Sequence, residues 1–325
     1  MDWYENASAR DWRTTPAPAD VLAFHRSLPA YRPTPLTAVP ELAAELGVGQ
    51  VLVKDESERL GLPAFKALGA WWAIHRTLVE GVSELVTATD GNHGRAVARR
   101  AATLGLPAHV FVPDMVGDAA IEAIRTEGAT VTVVPDSYDA AVAEAAAYAT
   151  GGRLLIQDSA WPGYEVVPQL IVDGYSTLFR EIDAEPDLVV VPMGVGSVAQ
   201  AAVTHYRSEA PAPMVLGVEP STAACVTTSL LAGELLSIPT AATVMAGLNC
   251  GTPSTLAWPV LHSGLDHATT VDDAAALQAS ADLATAGISS GPSGAATLAG
   301  LRAARSRLPL TASSTVILIS TEAMH

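Results

Sequence analysis

The stretch "LVVVPMGVGSVAQAAVTHYR", residues 188–207, decides the fold class of this chain. It runs from an apolar, β-branched segment through Gly194, Val195, Gly196 and Ser197 into an alanine-rich helical pattern. A buried strand that leads through a glycine turn into a helix is typical of an open parallel α/β sheet. Backbone amides of such a turn, at the positive end of a helix, are suited to bind phosphate. We therefore predict a phosphate site at this turn.

Strand and helix patterns alternate along the whole chain, which predicts an α/β protein with mainly parallel sheets flanked by helices. The predicted strands lie at 50–54, 84–89, 108–112, 129–134, 153–157, 188–193, 214–219 and 314–320. The predicted helices lie at 64–80, 92–104, 117–127, 137–150, 165–182, 197–208, 271–286 and 294–306. No low-complexity linker is visible, so we expect any second domain to be an insertion.

Composition and charge exclude several function classes. The chain has 325 residues, 49% of them hydrophobic, and a net charge of −16, which argues against nucleic acid or an anionic membrane as partner. It has no apolar run of about 18 residues and no signal-peptide pattern near its start, so we predict a cytoplasmic protein. Cys225 and Cys250 have no zinc spacing, and no metal site is predicted.

Only two lysines occur, Lys54 and Lys66, and Lys66 lies in the apolar segment "GLPAFKALGAWWAI". Burial lowers the pKa of a lysine toward neutrality, as a Schiff-base or general-base lysine requires. The alternative is a lysine on the exposed side of an amphipathic helix.

A second candidate segment is "VTATDGNHGRAVARRAATLG", residues 86–105, in which a strand pattern turns into a helix. Asp90 is either an N-cap or turn residue or a catalytic carboxylate. Asn92 is the better candidate for a ligand contact, because its amide both donates and accepts. We expect His93 to face solvent or to support the turn.

A nicotinamide-dependent dehydrogenase is an alternative from a different enzyme class. The glycine turn also fits G-x-G-x-x-A, and Glu219 ends the next strand, where a ribose-binding acid could lie. This alternative leaves Lys66 unexplained.

Taken together, Lys66, "GNHG" (91–94) and the glycine turn resemble the fold-type II pyridoxal-phosphate enzymes, the tryptophan synthase β-subunit superfamily. Within them the chain is most similar to the diaminopropionate ammonia-lyases, and the similarity runs from about residue 25 to the C-terminal region. The segments that carry it are "YRPTPLTAVPELAAELGV" (31–48), "VKDESERLGLPAFKALGA" (53–70), "TATDGNHGRAVA" (87–98), "QDSAWPGYEVVPQLIVDGYSTL" (157–178), "VEPSTAAC" (218–225), "TVMAGLNCGTPSTLAW" (243–258), "SGPSGAATL" (290–298) and "VILISTE" (316–322).

The resemblance implies a cofactor, a domain organisation and an assembly. The cofactor is pyridoxal 5'-phosphate. We expect two open, twisted, mainly parallel sheets, with a large domain of residues 1–79 and 153–325 and a smaller inserted domain of residues 80–152. A homodimer is expected as well.

The resemblance also implies roles for the cofactor-binding residues. Lys66 would carry the cofactor and act as base on one face of the substrate Cα. Asn92 would bind the cofactor's 3-hydroxyl, and the amides of 194–197 would bind its phosphate. Either Ser320 or Thr321 would meet the pyridine nitrogen.

The activity implied is β-elimination from 2,3-diaminopropionate or a similar β-substituted amino acid, giving pyruvate and ammonia through an aminoacrylate. Asp90 would remove the α-proton of the D-isomer, opposite Lys66. Asp158, in "QDSAW", would interact with the β-ammonium group; its alternative is a turn residue at the end of a strand. Cys225 and Cys250 match two family cysteines that can bridge, although two free thiols are equally compatible with a reducing cytoplasm.

Three departures from the family pattern leave the substrate open. Pro63 replaces an asparagine, Pro292 replaces a glutamate, and the chain is short both before 84–89 and after "STE". The alternatives are therefore a serine or threonine dehydratase, a β-replacement synthase of a specialised pathway, and an inactive homologue that binds the cofactor.

Overall fold

The computed structural model describes residues 2–89, 91–135 and 137–324. The chain divides into two compact units, each with its own sheet. One contains the residues up to Phe65 and from Tyr175 onward, and the other is Lys66–Gly174.

The bounds of the elements are as follows. In chain order the strands of the described residues are β1 (Trp3–Glu5), β2 (Leu36–Ala38), β3 (Gln50–Asp55), β4 (Glu84–Ala88), β5 (Ala108–Pro113), β6 (Thr130–Val134), β7 (Arg153–Leu155), β8 (Leu188–Pro192), β9 (Met214–Pro220), β10 (His267–Val271) and β11 (Thr315–Ser320). The α-helices are α1 (Asp20–Arg26), α2 (Pro40–Leu46), α3 (Lys66–Thr77), α4 (Asn92–Leu104), α5 (Asp118–Thr126), α6 (Tyr138–Tyr148), α7 (Val166–Arg180), α8 (Ser197–Tyr206), α9 (Cys225–Ala232), α10 (Ala257–Gly264), α11 (Asp273–Thr285) and α12 (Pro292–Ala304).

The sheet of the first unit has the strand order β1-β10-β9-β8-β11-β3-β2. Its inner pairs are parallel, whereas β1 and β2 are antiparallel at the two edges. Val190 of β8 is in register with Leu216 of β9 and Leu318 of β11. Because parallel strands end at the same edge of a sheet, the segments that follow β8, β9 and β11 lie at one edge, where ligands of open α/β sheets bind.

The core of the first unit lies between this sheet and α12, whose residues are almost all buried. The helix approaches the sheet closely because its inner face carries alanine and glycine. A Cβ added at Gly300 would lie 2.3 Å from Cγ2 of Val218, so only glycine fits there.

The sheet of the second unit has the order β6-β5-β4-β7, and all of its pairs are parallel. The helices α3 and α4 belong to the same unit, and the indole Nε1 of Trp71 donates to the carbonyl oxygen of Ala96 at 2.9 Å. Ala88 ends β4 and Asn92 begins α4, so the "GNHG" segment lies at the carboxyl end of a central strand.

All the predicted strands and helices are confirmed, with ends that differ by at most three residues. The prediction missed β1, β2, β10, α1, α2, α9 and α10, which are short. The second unit contains α3 and β7 in addition to the elements of residues 80–152, and the domain boundaries at 80 and 152 stay a prediction.

Two absences concern the described residues only. None of their helices is long and apolar enough to cross a membrane. Their His, Cys, Asp and Glu side chains form no group of three or more that could hold a metal ion.

Candidate active site

Lys66 begins α3, and its ammonium Nζ donates a hydrogen bond of 2.6 Å to Oδ2 of Asp158. The Lys66 side chain is 25% exposed and that of Asp158 is 10% exposed. The amine is thus neither fully buried nor on an open helix face, which were the two readings that the sequence left open. Lys66 and Asp158, two predicted site residues 92 positions apart, are brought together.

Asp158 is an ionised carboxylate in this arrangement. Burial by itself would raise its pKa, but the charge of Lys66, with a further contribution from the nearby His93, and the Lys66 hydrogen bond lower the pKa to about 2. The second oxygen, Oδ1, accepts a hydrogen bond of 3.3 Å from Nε2 of Gln157. A fixed negative charge beside an amine suits the binding of a cationic group.

Gln157 and two tyrosines hold the Asp158 segment, and sequence reasoning missed them. Nε2 of Gln157 donates to Oη of Tyr138 at 2.8 Å, and its Oε1 accepts from the backbone amide of Ala88 at 2.9 Å. The backbone amide of Gln157 donates to Oη of Tyr164 at 2.9 Å. A glutamine directly before the acid in an apolar segment was the available signal.

The turn before α4 is organised by Thr89, whose Oγ1 accepts from the amides of Gly91 at 3.0 Å and Gly94 at 3.2 Å. A Cβ added at Gly94 would lie 2.4 Å from Cγ2 of Thr89, so this glycine is required by close approach. Asn92 is half-buried at the start of α4. Asp90 lies outside the described residues, and its role stays a prediction.

The expectation that His93 faces solvent is wrong, and its alternative, support of the turn, stays a prediction. His93 is 2% exposed, and its Nε2 is 2.7 Å from the carbonyl oxygen of Ile156. Nδ1 lies 3.9 Å from Oδ2 of Asp158. Sequence pattern did not predict the burial of His93, because Ile156 and Asp158, which lie next to its ring, come from a segment more than 60 residues away.

The glycine turn between β8 and α8 has the geometry of an anion site. Gly196 has φ +99° and is the N-cap of α8, where no side chain caps the helix. The amide of Gln200 donates to the carbonyl oxygen of Gly196 at 2.8 Å, which is the first hydrogen bond of the helical pattern. The backbone amides of the residues before Gln200 therefore take no part in that pattern. A Cβ at Gly196 would lie 2.8 Å from Cδ1 of Leu261, so a larger residue does not fit.

Ser320 and Thr321 lie at the carboxyl end of β11, at the same edge of the sheet as this turn. The Ser320 hydroxyl is fully buried and donates to Oγ of Ser290 at 2.7 Å. Thr321 is 4% exposed, and its carbonyl oxygen accepts from the amide of Phe65 at 3.2 Å. The Ser320 hydroxyl thus has a partner within the first unit, and the choice between Ser320 and Thr321 stays a prediction.

Glu219 is fully buried and binds the start of α9. Its carboxylate accepts from the amides of Val226 at 2.8 Å and Thr227 at 2.6 Å, and from Oγ1 of Thr227 at 2.5 Å. Burial raises the pKa of Glu219 to about 7, although these hydrogen bonds oppose the shift. Because the carboxylate is engaged in this way, it is not available to bind a ribose. The nicotinamide-dependent dehydrogenase alternative therefore keeps only the G-x-G-x-x-A pattern.

Cys225 and Cys250 form no disulfide. Sγ of Cys225 lies 3.7 Å from the carbonyl oxygen of Gly194, and burial raises the pKa of this thiol. Both cysteines neighbour the glycine turn, since a Cβ at Gly194 would lie 3.1 Å from Sγ of Cys250.

The proline departures fit the local backbone. Pro292 is the first residue of α12, where a helix needs no backbone N–H. Pro63 keeps its carbonyl oxygen bonded to the amide of Ala323 at 2.9 Å.

The glycine turn of the first unit fits the phosphate of a cofactor, because no side chain caps α8 there. Oδ1 of Asn249 and Oγ of Ser293 are buried without a hydrogen-bond partner among the described residues. A Cβ added at Gly247, two residues before Asn249, would lie 3.4 Å from this Ser293 oxygen. Buried polar atoms without partners are uncommon and mark places where a ligand supplies the partner.

Comparison with known proteins decides the family. A family model described as pyridoxal-phosphate dependent enzyme matches residues 28–322. The chain belongs to this family. Its cofactor is pyridoxal 5'-phosphate, and its fold is that of the fold-type II pyridoxal-phosphate enzymes.

Individual relatives are similar over most of the chain. A diaminopropionate ammonia-lyase of Salmonella typhimurium is 35% identical over 297 residues, covering 78% of this chain and 72% of the relative. The crystal structure of the Escherichia coli diaminopropionate ammonia-lyase, in complex with an aminoacrylate-PLP azomethine reaction intermediate, has a TM-score of 0.91 at 32% identity and covers 99% of this chain and 93% of that one. An L-threonine dehydratase of Mycobacterium leprae is 30% identical over 308 residues, covering 90% of this chain and 70% of the relative.

Proposed function

We propose that this chain removes the β-amino group of 2,3-diaminopropionate, giving pyruvate and two molecules of ammonia. The observation that carries the proposal is the ionised Asp158 carboxylate at 2.6 Å from the Lys66 amine. An acid at this place suits a substrate with a cationic β-group, whereas the hydroxyl group of serine or threonine has no charge to match it. The similarity to diaminopropionate ammonia-lyases supports the same substrate.

When bound, pyridoxal phosphate withdraws electrons from the substrate Cα, which makes the α-hydrogen acidic. We assign the binding of the cofactor to four groups of the protein. Lys66 would hold it through the side-chain amine, and Asn92 would bind its 3-hydroxyl. The amides of 194–197 would bind its phosphate, and the hydroxyl of Thr321 or Ser320 would meet its pyridine nitrogen. In the free chain Lys66 Nζ is an ammonium, so it must lose a proton before it can act.

The protein's own groups then carry the proton and the leaving group. Lys66 Nζ takes the α-proton of the L-isomer, and Asp90 takes that of the D-isomer from the opposite face. Asp158 holds the β-ammonium, whose C–N bonding electrons leave with nitrogen as ammonia. The released 2-aminoacrylate takes up water to give pyruvate and the second ammonia.

The test is pyruvate release from D- and L-2,3-diaminopropionate, D- and L-serine and L-threonine. We expect both diaminopropionate isomers to react and Lys66→Ala to lose all activity. Asp90→Asn should lose only the D-isomer. In Asp158→Asn, kcat/KM should fall about 100-fold for diaminopropionate and much less for serine. Asp118→Asn, an exposed acid at the start of α5, is the matched control and should match the wild type.

Other outcomes separate the alternatives. Preferred turnover of L-serine or L-threonine identifies a dehydratase, which the similarity to threonine dehydratase makes the second candidate. Release of pyruvate only from other β-substituted amino acids, or product formation only when a second nucleophile is added, points to a β-replacement synthase. Cofactor binding without any turnover identifies an inactive homologue.

We further propose a cytoplasmic homodimer with a smaller mobile domain at 80–152. The acidic composition and the family resemblance support these assignments. Sedimentation equilibrium tests the dimer, because a mass near 33.5 kDa for the holoenzyme contradicts it.

A further inference from the structure

His93 is a buried titratable group to which the proposed reaction gives no role. It lies in the first turn of α4 and is 2% exposed. In the same unit it faces the pair formed by Lys66, from α3, and Asp158, from the segment after β7.

The contacts of the ring determine which nitrogen carries hydrogen. A carbonyl oxygen only accepts, so Nε2, at 2.7 Å from the oxygen of Ile156, carries the hydrogen. Burial lowers the pKa of His93, so the ring is neutral and Nδ1 is a bare acceptor. Nδ1 has no hydrogen-bond partner among the described residues, and the group 3.9 Å away is another acceptor, Oδ2 of Asp158.

Two acceptors that face each other in a buried place are stable only while a positive charge holds one of them. Here Lys66 Nζ provides that charge at 2.6 Å from the same Oδ2 atom. The three groups together have no net charge, with the ammonium positive, the carboxylate negative and the imidazole neutral. If Lys66 alone lost its proton to solvent, an uncompensated carboxylate would remain in a place where only 10% of its side chain is exposed.

We propose that His93 is a positioning residue that accepts a proton at Nδ1 when Lys66 gives up its positive charge. One N–H bond at Lys66 Nζ breaks and one at His93 Nδ1 forms, so the net charge of the three groups stays zero. The new N–H donates to Oδ2 of Asp158 after a small approach of the two groups. Asp158 thereby remains ionised while Lys66 acts as nucleophile or base.

The consequence for the substrate rests on the proposed function. An Asp158 that stays ionised keeps its attraction for a β-ammonium group throughout the reaction. Without His93, Asp158 itself would take the proton and lose that attraction. The charged groups that face His93 among the described residues are Lys66 and Asp158, and Asp90 lies outside that part of the chain.

The first experiment needs neither cofactor nor turnover. The histidine nitrogens of the full-length chain, freed of cofactor, are followed by ¹⁵N NMR from pH 4.5 to 9 in the wild type, Lys66→Met and Asp158→Asn. The His93 signals are assigned by their absence in His93→Gln or, where that variant does not fold, by their proximity to Ile156.

We expect the His93 pKa to rise by about 1 pH unit or more in Lys66→Met, since a nearby positive charge is removed. It should fall in Asp158→Asn, because the carboxylate that favours the imidazolium is gone. The wild type should show a neutral ring at pH 7 with hydrogen on Nε2. Equal pKa values in the three proteins, or hydrogen on Nδ1 in the wild type, would overturn the proposal.

The second experiment measures the holoenzyme. His93→Gln keeps a donor for the Ile156 carbonyl but takes no proton, so kcat/KM for diaminopropionate should fall about tenfold, mainly through a higher KM. For serine, which lacks a β-ammonium, KM should change little. An equal fall in kcat/KM with diaminopropionate and with serine would contradict the proposal that His93 acts through Asp158. If the wild type does not turn over diaminopropionate while the His93 pKa values of the three proteins differ in the expected order, the proposed function is wrong. The role of His93 as a proton acceptor is then retained.

Discussion

Nζ of Lys54 lies 2.7 Å from Oε2 of Glu181, and the two side chains are 0% and 2% exposed. The two lysines of the chain therefore each bind a carboxylate, Lys54 inside the first unit and Lys66 inside the second. Arg59 binds the same Glu181 at 2.7 Å and also Glu56 at 2.6 Å, both buried. Two cations and two anions balance in this buried network.

Removal of Lys54 should destabilise the protein strongly. In Lys54→Met the network keeps two carboxylates and one cation, and an unbalanced buried charge costs about 3–5 kcal/mol. Urea unfolding of the variant measures the loss. Arg32→Met is the control, because the pair of Arg32 with Glu58 is 76% and 66% exposed and should contribute less than about 1 kcal/mol. Similar losses in the two variants would show that burial does not decide the effect.

Sequence pattern did not show that Lys54 is buried. Lys54 ends the strand pattern "QVLVK", where a charged residue reads as the exposed end of a strand, yet it is fully buried. Its partner Glu181 directly follows α7 and is 127 residues away, and such pairing has no local signature. Lys66 stood out through the apolar segment "GLPAFKALGAWWAI" around it and through the family resemblance.

The parts that were predictable from sequence are those with a local cause. Long buried strands and amphipathic helices have periodic patterns, and the glycine turn at 194–197 is visible because its backbone excludes larger residues. The partners of His93 and Glu219 were not predictable, since tertiary contacts determine them. The short strand β10 begins with His267 and has no alternation, so it was missed.

Asp158 should make stability depend on pH below 4. Its pKa is lowered from 3.8 to about 2, so the folded protein keeps the charge where the unfolded chain has taken up a proton. The stabilisation, about 2 kcal/mol, is complete above pH 4 and is lost as the pH falls toward 2. Chemical unfolding at pH values from 5 to 2.5 should show a shallower slope for Asp158→Asn than for the wild type. Asp118→Asn should keep the wild-type slope, and an unchanged slope in Asp158→Asn would contradict the pairing with Lys66.

Glu219 should lower the stability of the folded protein as the pH rises toward neutral. Its pKa is raised from 4.5 to about 7, so between these values the folded protein binds the proton more tightly than the unfolded chain does. The contribution of Glu219 to stability is therefore greatest below pH 4.5 and falls by about 3 kcal/mol as the pH rises from 4.5 through 7. In Glu219→Gln this part of the pH dependence should vanish. Glu234→Gln, at an exposed position, should retain it, and a slope that persists in Glu219→Gln would assign the effect to another group.

The glycine turn offers a test of cofactor binding that is separate from catalysis. Gly196→Ala places a Cβ at φ +99° and 2.8 Å from Cδ1 of Leu261, so the turn must shift. We expect the Kd for pyridoxal phosphate to rise at least about tenfold, because the loop amides no longer converge on the phosphate. Gly233→Ala is a matched control, since Gly233 also has positive φ, +75°, at the end of α9, but a Cβ there meets nothing within 4 Å. The control should lose about 1 kcal/mol of stability and keep its Kd, because it adds the same backbone strain away from the turn. If both variants weaken binding equally, the effect is general strain, and the phosphate has to be sought at another group of amides.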